Sequence, residues 1–137
     1  MTKLYISAGP FEFEAKLETQ AAPETCKAVA ATFPLSSELV HVRWSGEGVW
    51  IPYGDHDFGV GYENHTSHPA PGQFILYPGG ISETEILLAY GGVDFSSKMG
   101  QLAGNHFMTI TKGNENLMDL GNRVLWKGAQ PIRIESA

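Results

Sequence analysis

The chain has 137 residues, 42% hydrophobic and 18% charged, which is the balance of an ordinary soluble globular protein with enough length for a sizeable core. Nine basic against fifteen acidic residues leave a net charge of −6, with no cluster of Lys or Arg, which argues against nucleic acid and anionic membrane as partners. Sixteen glycines and eight prolines predict many turns and hence many short strands, organised as a single domain over residues 1–137.

Leu4, Ile6 and Ala8 alternate with Tyr5 and Ser7 up to Gly9-Pro10. Phe11, Phe13, Ala15 and Leu17 then alternate with charged residues. This period of two predicts an opening β-hairpin with one face buried. Pro23 opens a predicted helix whose apolar stripe is Cys26, Val29, Ala30 and Phe33, and Pro34 stops it. On that stripe Cys26 reads as a small buried residue rather than a nucleophile. As the only cysteine it excludes an internal disulfide and fits a reducing compartment. The first residues lack the apolar block of a signal peptide, and no apolar run approaches the ~18 residues that span a bilayer, so a cytoplasmic location is expected.

From Leu39 onward, Val40, Val42 and Trp44 alternate with His41 and Arg43, which predicts a strand with His41 and Arg43 on its solvated side. Ser45-Gly46-Glu47-Gly48 turns and Val49-Trp50-Ile51 continues. A second turn at residues 53–57 leads to Phe58, Val60 and Tyr62 on one predicted strand face. Residues 74–77 read as a short apolar strand. The strand over residues 84–90 places Ile86, Leu88 and Tyr90 on one side and Glu85, Leu87 and Ala89 on the other, with Glu83 just before it. Residues 96–104 read as a long polar loop. In the strand over residues 105–111, His106, Met108 and Ile110 are expected to share an inward face. Asn114 is the predicted N-cap of a helix bearing Leu117, Leu120, Val124 and Leu125, interrupted by Gly121 and capped by Gly128. Residues 131–135 form a last strand, expected to pair with an early one.

The opening Phe11-Glu12-Phe13-Glu14-Ala15 followed by Ala22-Pro23-Glu24-Thr25 resembles the start of a cyclophilin, and the order of elements is similar to that of the cyclophilin-type barrel. The whole chain looks closer to a bacterial family of small cyclophilin-like proteins of unknown function. In such a family stretches similar to Trp44-Ser45-Gly46-Glu47, Glu63-Asn64-His65-Thr66, Tyr77-Pro78-Gly79-Gly80 and Gly104-Asn105-His106-Phe107 are expected. The resemblance implies a mainly β fold, a closed antiparallel β-barrel with two α-helices. It does not carry prolyl isomerase chemistry. The Phe-His-Arg triplet and Gly-Phe-Met-x-Gln-Gly run of those enzymes are absent, and Arg43 stands instead between Val42 and Trp44. Subunits of allophanate-hydrolase-like and 5-oxoproline-hydrolysing enzymes share such domains, which at the level of fold implies a small amide or lactam substrate.

The most polar stretch is Tyr62-Glu63-Asn64-His65-Thr66-Ser67-His68-Pro69-Ala70-Pro71-Gly72, a loop composition that positions side chains. It is expected to form a pocket at one barrel mouth with residues 96–106. His106 with Glu63 or Glu85 is the predicted acid–base pair, with His65 as a further catalytic candidate, because a histidine titrates near neutrality and a carboxylate fixes its tautomer. Asn64 and Asn105 are candidates for binding a carbonyl or carboxylate, and His68 and Tyr62 complete the ligand-binding set. His65 and His68 with His106, Glu63 or Glu85 also permit a zinc-like site, but the spacing lacks a helical His-x-x-x-His frame or a cysteine pair, so no metal is assigned and the cofactor stays open. Trp44 and Trp50 serve either core packing or an aromatic pocket wall. Ser96, Ser97 and Lys98 lie close together without a sequence signature for a Ser/Lys nucleophile. The expected function is a small-molecule enzyme or binder that hydrolyses or isomerises a small amide or carbonyl metabolite. The alternative is a non-catalytic interaction module, and a homo-oligomer is the expected assembly.

Overall fold

The computed structural model describes residues 3–137. The opening alternation folds as β1 (Lys3–Ala8) and β2 (Phe11–Leu17), a hairpin that buries Leu4, Ile6, Ala8, Phe13, Ala15 and Leu17. Then come α1 (Pro23–Ala30), β3 (Leu35–His41), β4 (Gly46–Gly54), the two-residue β5 (His65–Thr66), β6 (Gln73–Tyr77) and β7 (Thr84–Val93). A small ribbon of β8 (Ser96–Ser97) and β9 (Gly100–Gln101) precedes β10 (Gly104–Lys112). A 3₁₀ turn leads into α2 (Leu117–Lys127), and β11 (Gln130–Ser136) is the last element. Strand pairing runs β2-β1-β11-β3-β4-β7-β6-β10, and β10 pairs back onto β2, so eight antiparallel strands close into a cyclophilin-like barrel. Closure satisfies backbone groups that an open sheet would leave at its edges.

The barrel interior is packed with side chains, among them Phe74, Leu76, Ile86, Leu88, Phe107, Met108 and Ile134. α1 adds Cys26 and Val29 to this core, and α2 adds Leu117, Leu120 and Val124. A second, smaller core lies outside the wall. Ile75, Tyr77, Leu87 and Ala89 point away from the interior and are covered by Val93, Phe95 and Leu102, with Val42 and Trp50 packed alongside. β6 and β7 are therefore apolar on both faces, as their near-continuous apolar sequence requires.

Several expectations shift, each for a physical reason. His41 shares the inner side of β3 with buried Leu39, because Val42 packs on the outer core rather than on the interior. The expected strand after residue 57 is an irregular loop, from which Phe58 and Val60 still pack on the core. It is held by edge-to-face rings, with the Tyr53 ring centre 5.0 Å and the His56 ring centre 4.5 Å from that of Phe58. α1 ends at Ala30, so Phe33 packs beside the helix stripe rather than on it. Asn114 starts the 3₁₀ turn rather than capping α2, and Leu125 faces solvent. Gly121 is where Tyr90 lies flat against α2; a Cβ there would collide with the Tyr90 ring. No helix among the described residues is long and apolar enough to cross a membrane.

Candidate functional site

The polar loop does return to β10, with β5 pairing His65 to Asn105 and Thr66 to Gly104. Asn105 is fully buried. Its Oδ1 accepts the Glu63 N–H at 3.1 Å, and its Nδ2 donates to the Gly61 carbonyl at 2.8 Å and to Thr25 Oγ1 at 3.1 Å. Glu63 Oε2 accepts the Thr25 N–H at 2.6 Å and the Thr25 hydroxyl at 2.7 Å. α1 has no side-chain cap of its own, so Glu63 brings a negative charge to the unpaired N–H groups of its first turn. Asn64, in the left-handed region at φ 48°, donates from Nδ2 to the His106 carbonyl at 2.8 Å and accepts the His106 N–H on its own carbonyl. These bonds occupy Glu63, Asn64 and Asn105 in fastening the loop to β10 and α1.

The histidines separate. A bulge between His106 and Met108 lets Phe107, Met108 and Ile110 all enter the core, while His106 pairs with outward-facing Ile75 and leaves the barrel on the outside. The extra residue has a use: the Phe107 carbonyl accepts the Glu18 N–H at 2.8 Å and the Cys26 thiol at 3.2 Å. Burial pushes that thiol up to about 11, consistent with an unreactive cysteine. His106 Nε2 lies 2.8 Å from Thr109 Oγ1, which donates to Glu18 Oε2 at 2.6 Å. Because Thr109 gives its proton to the carboxylate, Nε2 is the donor to Thr109. Burial lowers the His106 pKa, with the Glu18 charge acting in opposition. His65 stands opposite Asn105, so its exposed ring leaves the other face of the ladder from His106 and lies 5.2 Å from the ring of exposed Tyr62. His68 meets Asp94 at 3.4 Å on the open surface, where such a pair stabilises little. Among the described residues no three His, Cys, Asp or Glu side chains converge as a metal-binding group.

Glu85 differs from the others. It faces outward from β7 beside Tyr77, on the register that sets Tyr77 and Pro52 opposite it, and it is only 8% exposed. No hydrogen bond or ion pair to a described residue holds its carboxyl group. Burial, with Glu83 adding repulsion, pushes its pKa up to about 8. It lines a hollow of about 370 Å³, bounded by the 42–45 turn, Trp50, residues 82–85 and the ribbon at residues 96–98. Ser45 fixes one wall: its Oγ accepts the Ser96 N–H at 2.9 Å and donates to the Ser96 carbonyl at 3.1 Å. Tyr77 fixes another, its hydroxyl accepting the N–H groups of Ile81 at 3.0 Å and Ser82 at 3.2 Å. His41 closes the inner end. Its Nδ1 donates to the Val42 carbonyl at 2.8 Å, which leaves Nε2 to accept the Tyr90 hydroxyl at 2.7 Å.

A larger hollow of about 650 Å³ runs over the outer face of β1, β2 and β11. Glu14 there meets Lys3 and Lys112 and Glu135 meets Arg133, while Glu12 and Glu115 line it as exposed residues, so none of its carboxylates is buried. The smaller hollow, with its buried unpaired acid, is the candidate site.

Residues 4–136 match the family described as Protein of unknown function (DUF3830). The chain belongs to that family. No curated protein matches it. Among solved structures, McbB in complex with tryptophan is similar with a TM-score of 0.69 at 14% identity, over 96% of this chain and 44% of McbB. The chain thus spans less than half of McbB. A hypothetical protein from Archaeoglobus fulgidus is 21% identical over 99% of this chain and 95% of its own, with a TM-score of 0.61. A cyclophilin-type peptidyl-prolyl cis-trans isomerase of Cryptosporidium parvum, solved in the presence of the dipeptide Ala-Pro, is 15% identical over 98% and 96% of the two chains, with a TM-score of 0.54. At such identities the likeness is one of fold, and it bears out the cyclophilin-like barrel.

In this DUF3830 chain, Glu85 alone of the eight residues named from sequence as catalytic or ligand-binding lines the candidate hollow, together with Trp44 and Trp50, weighed as a pocket wall, and Ser96, Ser97 and Lys98, weighed as a cluster. Arg43 and Ser45 were not given a site role. The signal that could have found them is the apolar set Val42, Leu87, Ala89 and Phe95, which announces packing outside the barrel next to Glu85.

Proposed function

We propose that the hollow beside Glu85 is a small-molecule site and that Glu85 holds the proton it presents to a small carbonyl or amide compound. The carrying observation is the carboxyl group of a residue only 8% exposed, without a partner among the described residues and opening onto a hollow. An acid kept neutral near pH 7 donates a hydrogen bond to a carbonyl oxygen and can pass its proton on as that oxygen gains charge. Trp44 and Trp50 offer flat apolar walls, and Ser82 and Ser97 offer hydroxyls for orientation. McbB, a protein with this fold, was solved in complex with tryptophan, which supports a small-molecule ligand. If the ligand is turned over, hydrolysis or isomerisation is the reading, with Glu85 as acid and Glu83 as the neighbouring carboxylate.

Titration of ¹⁵N-labelled protein with phenylacetamide tests this. Shifts are expected at the Trp50 indole and at residues 96–98, with affinity about tenfold weaker in Glu85→Ala and largely kept in Glu85→Gln, which still donates. Shifts confined to residues 62–68 and His106 would move the site to the polar loop, and unchanged binding by Glu85→Ala would remove Glu85 from it. A second reading, self-association as a homo-oligomer, is favoured by Met118, Leu125 and Trp126, which stand exposed on α2, Trp126 at 80%. A sizing-column peak that falls to monomer mass in Trp126→Glu would support it, and a monomeric starting protein would dismiss it.

A further inference from the structure

Resting on the reading of the hollow beside Glu85 as a ligand site, the charges and apolar groups at its rim narrow the ligand class. The chain is acidic overall, at −6. Of its nine cations, Lys3, Lys16, Lys112 and Arg133 each lie against a carboxylate, Arg123 holds the Gln130 side chain at 2.9 Å, and Lys27 and Lys127 stand on the two helices. Arg43 and Lys98 have no such partner among the described residues, and both line the hollow from different walls, the 42–45 turn and the ribbon. With Glu83 the other charged group at the rim and Glu85 holding its proton, two cations face one carboxylate there, a balance that selects for negative charge in what enters.

The apolar groups are a separate observation. Trp44, Ile81 and Met99 are large apolar side chains left 56%, 70% and 69% exposed. Trp44 lines the hollow, Ile81 precedes the lining residue Ser82, and Met99 follows the lining residue Lys98. All three loops that border the opening therefore carry exposed apolar surface next to their polar groups.

We infer that the ligand is an organic anion, a carboxylate held by Arg43 and Lys98 on an apolar body that spreads against Trp44, Ile81 and Met99.

Charge-matched probes test this by calorimetry and by ¹⁵N shifts: phenylacetate with phenylacetamide, indole-3-acetate with indole-3-acetamide, and N-acetylphenylalanine with its amide. The acid of each pair is expected to bind at least about fivefold more tightly than its neutral amide, an advantage lost in Arg43→Met/Lys98→Met and reduced in about 0.5 M salt. Both substitutions are at exposed positions, and a dispersed ¹⁵N spectrum checks that the variant folds. Equal binding of acid and amide, or an acid preference that survives in the double variant, overturns the anion inference and leaves the site reading standing. If no probe moves Trp50 or residues 96–98, the site reading falls and the inference falls with it.

Discussion

At the scale of single residues, Glu85 sets what the candidate site could do. Its proton is held more tightly in the folded protein than in the unfolded chain, because burial penalises the charged form. Between the ordinary 4.5 and the raised value of about 8, the folded state therefore binds more protons, and stability falls as pH rises through that window. Glu85→Gln keeps the shape and removes the ionisation. Chemical denaturation across pH 5 to 9 is expected to show wild type losing on the order of a few kcal/mol relative to this variant, most of it by about pH 8. Parallel curves for the two proteins would mean that Glu85 ionises at an ordinary pH. The sequence places Glu85 with Leu87 and Ala89 on one face of the strand, and that face is correct. Its burial was not legible, because that face is covered further along by Phe95 and Leu102, on a segment whose composition reads as loop, and Glu85 sits between Tyr77 and Pro52 of the neighbouring strands.

At the scale of elements, period-two alternation made β1 and β2 legible, a near-continuous apolar run made β7 legible, and the stripe of Leu117, Leu120 and Val124 made α2 legible. The direction of His106 was not. The bulge at Phe107 adds one residue to β10, which turns His106 outward while Met108 and Ile110 stay inside. Nor does composition tell a loop that binds from one that fastens: Glu63, Asn64 and Asn105 carry the groups a site would use, and spend them on Thr25, Gly61 and His106. Gly121 shows packing overruling propensity. Alanine in a helix interior is ordinarily better than glycine by about 1 kcal/mol. At Gly121 its methyl would meet the Tyr90 ring, so Gly121→Ala is expected to destabilise by about 1–3 kcal/mol in thermal melts. Gly121→Ala in a Tyr90→Ala background should lose that penalty. A stabilising Gly121→Ala in the native background would show that α2 shifts freely off the barrel.

For the whole molecule, the closed barrel decides where a ligand can go. Eight strands enclose a volume that Phe74, Leu76, Ile86 and Met108 already fill, which leaves the outside of the wall for the proposed site. There the segment from Val93 to Leu102 folds back over β6 and β7, burying a second core and leaving a hollow at its margin with Glu85 at its floor. ¹³C NMR titration of the Glu85 side-chain carboxyl group in the intact protein tests this arrangement most directly. A midpoint near 8 is the expected result. A midpoint in the ordinary range, about 4 to 5, would mean that water reaches the group freely and that the hollow holds no neutral acid for a ligand.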